Sequence, residues 1–150
     1  MNDPEFEKGA GRQGGAAVTR RQARRDAMVV LYQQDLTGGG IEELLENLKA
    51  ETGHEADSFT REDVEGVLAA RDELDRTIDA ASEGWPAHRL AALERNILRL
   101  AAYEILNRPD IPVEVSIDEA VALSKRFCSR EAGSLVNGIL AKIVQEAGQR

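Results

Sequence analysis

The sequence predicts an all-α domain, and two observations carry that prediction: the composition, and the return of apolar residues at helical spacing along most of the chain. Of 150 residues, 42% are hydrophobic but only 4% aromatic, with Ala, Leu, Glu and Arg abundant, a set that favours helices over strands. This length suffices to bury a sizeable core without disulfides or metals.

Residues 1–18 are rich in Gly, Ala and charge and lack periodicity, so they read as a disordered tail ahead of one helical domain spanning 19–150. Thr19 is the expected N-cap of a first helix that runs to Leu36, apolar on nearly every side from Ala27 through Tyr32. Gly38, Gly39 and Gly40 stop it; without a following Lys-Ser/Thr they form no phosphate-cradling loop. A second helix carries Ile41, Leu44, Leu45 and Leu48 on one face. Thr60 and Asp63 resemble a capping box opening a helix with Val64, Val67, Leu68, Leu74 and Ile78, which Gly84 ends. Trp85 and Pro86 open the next, where proline's missing N–H costs nothing. Its main stripe is Leu90, Leu93, Ile97, Leu100 and Glu104. Pro109 and Pro112 break the chain. Ser116 and Glu119 then suggest a second capping box, on a helix with Val121 and Phe127. After Ser129 a last helix pairs Leu135 with Val136, Ile139 with Leu140 and Ile143 with Val144. Six or seven helices with short connections make a helical bundle.

Charge is distributed unevenly. The formal net charge is -8, yet residues 8–25 carry six basic residues and no acid. An acidic body with one compact arginine cluster suggests a protein that grips a polyanion at a single place. At ~100° per residue, Arg20, Arg21, Arg24 and Arg25 fall within an arc of roughly 140° on the first helix, so all four are expected to face one strand. Arginine suits the task, since its planar guanidinium binds phosphate bidentately and stacks on bases. Four neutralised phosphates would give a slope of log affinity against log salt of about -3 to -4. The plainer reading of the same residues is a solvated helix face.

A second basic group, Lys125, Arg126 and Arg130, reads as ordinary surface charge near the end of a helix, where cations meet the negative dipole favourably. Asn137 and Gly138 interrupt the strongest helical pattern; close helix packing is the expectation for Gly138, while Asn137 is open to a functional role. Asp72, Asp75, Asp79, Glu94 and Glu104 read as solvated or partner-binding helix faces rather than as an acid/base pair. His54, His88 and the single Cys128 supply too few ligands for a metal site, so no metal, no cofactor and no catalytic residue is expected. Cys128 has no intramolecular disulfide partner, no apolar run approaches the ~20 residues that span a bilayer, and Arg20–Arg21 lacks the apolar region of an export signal. A cytoplasmic protein without a membrane partner fits these features.

Four segments together resemble the NusB transcription antitermination factors: TRRQARRDAMVVLYQQD (19–35), GWPAHRLAALERNILRLAAYEIL (84–106), IPVEVSIDEAVALSKRF (111–127) and LVNGILAKI (135–143). The resemblance covers about residues 19–145, and its last two segments are highly specific. It implies an all-helical fold of two packed three-helix-type bundles. It also implies binding of the single-stranded boxA RNA element of nascent ribosomal transcripts together with the ribosomal protein NusE, within an RNA polymerase antitermination complex and without catalysis. By this resemblance Arg20, Arg21 and Arg24 match the arginines of the RNA-binding helix, with Arg25 an auxiliary at a position that is often acidic or variable. Lys125 and Asn137 match positions near the RNA surface of the second bundle, and Glu94 matches an acidic position that contacts NusE. Leu135 stands where many relatives have Phe and Ser134 where some have Lys, which weakens the second RNA surface. Two other readings compete: a protein-only adaptor, and a detached RNA-methyltransferase accessory domain, for which the chain lacks a cofactor-binding domain. The resemblance leaves monomer and homodimer both open.

Overall fold

A computed structural model describes residues 18–83 and 89–148. Among the described residues there are seven helices: α1 (Arg20–Thr37), α2 (Ile41–Thr52), α3 (Ser58–Ala69), α4 (Arg71–Ala81), α5 (Ala92–Asn107), α6 (Val113–Phe127) and α7 (Arg130–Ala147). The all-α prediction is met. The expected tail with Lys8 and Arg12, apart from Val18, and the expected helix start at Trp85 and Pro86 lie outside the described residues.

Thr19 caps α1 as its sequence suggests, its Oγ1 accepting the Gln22 N–H at 3.0 Å. At the other end Gly38 adopts φ 72° and its N–H reaches the Gln34 carbonyl at 2.8 Å, a left-handed C-cap that favours glycine. Ser129 caps α7 through a 3.0 Å bond from the Ala132 N–H. One apolar cluster draws buried residues from all seven helices, including Leu31, Leu48, Val64, Ile78, Leu98, Leu123 and Leu140. Helix α5 is central: it packs on α1 and α3 on one side and on α4, α6 and α7 on the other, joining an N-terminal helical group to a C-terminal one.

Several local expectations are corrected. The single helix expected from Thr60 to Ile78 breaks at Ala70 (φ -109°, ψ 15°), whose N–H is shared between the Gly66 and Val67 carbonyls. No Gly or Pro marks the break; α3 packs on α1 and α5 whereas α4 packs on α5 and α7, and one straight rod cannot serve both. Helix α3 is capped by Asp57, which accepts the Phe59 N–H at 3.0 Å, so Thr60 and Asp63 form no capping box. Instead Thr60 Oγ1 donates to the Ala23 carbonyl of α1 at 2.9 Å. Helix α6 starts after Pro112, which leaves Ser116 and Glu119 inside it with other partners. Leu90 is buried but precedes α5. Gly138 is exposed, and a Cβ there would meet nothing within 4 Å; the close approach falls at Gly133, where a Cβ would meet Lys125 Cγ at 2.7 Å.

Candidate nucleic-acid interface

The four arginines of α1 do not share one surface. Arg24 is only 4% exposed. Its Nε donates to both carboxylate oxygens of Glu104 on α5, at 3.1 and 3.0 Å, and Ser116 Oγ of α6 donates to Glu104 Oε1 at 2.7 Å. The expectation that Arg24 faces a bound strand, and that Glu104 lies on a solvated or partner-binding face, is therefore corrected. Both belong to a buried ion pair that ties three helices together. Glu104 occupies the apolar stripe of α5, so its 1% exposure follows from position; its charge is tolerated because Arg24 and Ser116 satisfy it.

The same cluster extends to α3. Arg108, the residue after α5, donates from Nη1 to Asp63 Oδ1 at 3.0 Å and pairs through Nη2 with Glu62 at 3.2 Å. Asp63 is fully buried and its Oδ2 lacks a hydrogen-bond partner. Burial, followed by the neighbouring Glu104 carboxyl, pushes Asp63 up to about 9, against the opposing pull of Arg108 and Arg24. Phe59 lies beside this cluster, with the guanidinium carbons of Arg20, Arg24 and Arg108 at 4.1, 5.0 and 4.9 Å from its ring centre.

The other arginines reach the surface. Arg21 holds Glu119 of α6 bidentately, Nε to Oε1 at 3.1 Å and Nη2 to Oε2 at 2.9 Å, with the Arg21 side chain 78% exposed and the Glu119 side chain 16%. Arg20 is exposed and Arg25 half-buried. Between α1 and α6 runs an open cleft of about 420 Å³, with Arg21, Gln22 and Arg25 on one wall and Glu119, Ala122 and Arg126 on the other. Arg126, which reads from sequence as ordinary surface charge, thus joins the α1 arginines. Its seven-residue spacing from Glu119 on one helix face was the available signal.

Further along α1 a second network fixes the helix. Asp35 accepts Arg95 Nη2 at 2.8 Å, Asn96 Nδ2 at 3.0 Å and Arg99 Nη1 at 3.3 Å. Burial would raise the Asp35 carboxyl, but the hydrogen bonds from Arg95 and Asn96 and the charges of Arg95 and Arg99 together hold it below its usual range. Arg99 also grips Asp75 of α4 at 2.7 and 2.8 Å, so Asp75 too is an internal partner rather than a solvated acid.

Lys125 and Asn137 are exposed on α6 and α7 and do not line the α1–α6 cleft. Lys125 lays its stem over Gly133, while Leu135 and Phe127 stand 37% and 39% exposed nearby in sequence. Glu94 sits in the first turn of α5, half-buried, accepting the Ala91 N–H at 3.3 Å. Burial, and then the charge of Glu94, raise the Cys128 thiol after α6.

Together these features define a class: an all-helical protein whose first helix is locked to the body by buried ion pairs and presents guanidinium groups beside a cleft, an arrangement for binding a polyanion. Residues 21–145 match the NusB family model. The transcription antitermination protein NusB of Rubrobacter xylanophilus is 45% identical over 123 residues, covering 82% of this chain and 88% of that protein. The structure of NusB from T. maritima superposes with a TM-score of 0.79 at 35% identity, covering 87% of this chain and 94% of that one. A crystal structure of the antitermination factors NusB and NusE in complex with dsRNA gives a TM-score of 0.78 at 28% identity, covering 85% and 96%. The chain belongs to the NusB family.

Proposed function

We propose that this protein is a transcription antitermination factor, acting in the cytoplasm as a binding protein and not as an enzyme, that holds single-stranded boxA-type RNA jointly with NusE. The observation that supports the RNA contact most directly is the set of surface guanidiniums of Arg20, Arg21 and Arg25 on an α1 anchored by Arg24, with Arg126 across the cleft. Anchoring matters because a grip whose helix is already fixed loses less conformational freedom on binding. Lys125 and Asn137 supply a second, weaker contact on the C-terminal helices, and Glu94 faces the protein partner. Arg24 serves by holding α1 in place, and Arg25 and Arg126 serve as auxiliaries.

Fluorescence anisotropy with a labelled boxA-like RNA, with and without NusE, tests this reading. The expected outcome is binding that NusE tightens, that prefers the cognate sequence over a scrambled strand and over duplex RNA, and that weakens about three- to tenfold for each of Arg20→Ala, Arg21→Ala and Arg25→Ala. Arg24→Ala is expected to act differently, destabilising the fold by about 3–5 kcal/mol because it strands the buried Glu104 charge. Equal affinity for scrambled RNA would refute the boxA assignment. Full binding by the triple Arg20, Arg21 and Arg25 variant would refute the site.

A further inference from the structure

We infer that Phe59, on a different helix and with no access to a ligand itself, is a positioning residue that fixes the Arg20 guanidinium for RNA contact. The inference rests on the RNA-binding reading of α1. Phe59 lies in the first turn of α3, is 3% exposed, and packs with Ala23 of α1 and Ile111. Three guanidinium carbons lie within 5.0 Å of its ring centre, with that of Arg20 nearest at 4.1 Å. Two of the three are held independently: Arg24 by Glu104, and Arg108 by Asp63 and Glu62. Among the described residues no carboxylate pairs with Arg20, so the ring face is what orients it.

This distinction has a physical consequence. An arginine held by a carboxylate must share or surrender that partner when a phosphate arrives, whereas one held by an aromatic face keeps all five N–H donors and its full charge available. Arg21, bidentate to Glu119, is of the first kind. Arg20 is of the second, restrained but electrostatically unspent, with its in-plane N–H edge available to a phosphate and the face turned away from the ring to an unpaired base. The ring itself cannot wander, because the Arg24–Glu104 ion pair and the Arg108–Asp63 hydrogen bond close around it from α1 and from the end of α5.

The test compares wild type, Arg20→Ala, Phe59→Leu, and a protein carrying a trifluorinated phenylalanine at position 59, which keeps the ring's shape but depletes the electron density of its face. RNA affinity is read by anisotropy, and folding by far-UV circular dichroism and the thermal midpoint. The fluorinated protein is expected to retain its midpoint yet bind the boxA-like RNA about two- to fivefold more weakly, the range of an exposed cation–π contact. Fluorination in the Arg20→Ala background is expected to cause no further loss. Should Phe59→Leu fail to fold, the fluorinated protein decides alone. Wild-type affinity in the fluorinated protein, or losses at positions 20 and 59 that multiply, would overturn the positioning role while leaving the RNA reading intact. Unchanged affinity in Arg20→Ala would instead remove Arg20 from the RNA site and the role of Phe59 with it.

Discussion

Asp63 and Glu104 place two carboxyls in one buried cluster with the guanidiniums of Arg24 and Arg108, and there the charges do not divide evenly. Glu104 takes a guanidinium and a hydroxyl, whereas Asp63 has one oxygen on Arg108 and the other without a donor. Raised to about 9, the Asp63 carboxyl keeps its proton at neutral pH. The unfolded chain gives up that proton in the ordinary carboxylate range, so between there and about pH 9 the folded state binds more protons and stability falls as pH rises. Asp26, raised by burial against the weaker pull of His54 and Arg25, acts in the same direction. Asp63→Asn mimics the protonated form and still accepts from Arg108. Thermal midpoints measured from pH 5 to 9 should therefore decline less steeply in Asp63→Asn than in wild type, with the variant at least as stable at the alkaline end. Parallel curves would mean that Asp63 is ionised in the fold.

Between helices, two glycines with the same propensity cost have opposite roles. Gly66 of α3 faces Tyr103 of α5, and a Cβ would collide with the ring carbons and hydroxyl of that tyrosine. Gly138 of α7 opens onto solvent. Denaturant unfolding should show Gly66→Ala losing about 1–3 kcal/mol through overpacking. Gly138→Ala should gain roughly 0.5–1 kcal/mol from helix propensity. A loss at Gly138 would point to a contact that position makes in an assembly. Gly138 stands out in the sequence as a poor helix former inside the strongest helical pattern, yet low propensity does not say which face the residue occupies. Gly66 gave no such signal, since the aromatic side chain it accommodates comes from another helix.

At the scale of the molecule, an acidic chain of net charge -8 concentrates a run of arginines at one end of α1. Withdrawal of Arg24 into the ion pair with Glu104 changes the expected salt dependence. With Arg20, Arg21 and Arg25 left to neutralise phosphates of a single strand, log affinity should fall with log salt at a slope of about -2 instead of -3 to -4. Anisotropy titrations at several salt concentrations check this; the steeper slope would show that Arg24 leaves its pocket or that other cations, such as Lys125 and Arg126, engage the strand.

Legible in the amino-acid order alone are the helical class, the cap at Thr19, the helix stop at the glycine run from Gly38, the start of a last helix after Ser129, the membership of most core stripes, and the location of the arginine cluster on the first helix. Each of these is local: composition, spacing and cap chemistry act within a few residues along the chain. Long-range packing settles which arginine is buried against a carboxylate and which reaches the surface, that Ser116 and Asp63 serve a buried polar network and not helix ends, and that Phe59 stands under Arg20. Those outcomes depend on side chains brought together from 12 to 98 positions apart, as in Ser116–Glu104 and Arg21–Glu119. A helical arc can place four guanidiniums on one side of α1, but whether each is solvated or buried is set by the carboxylate that the next helix presents to it.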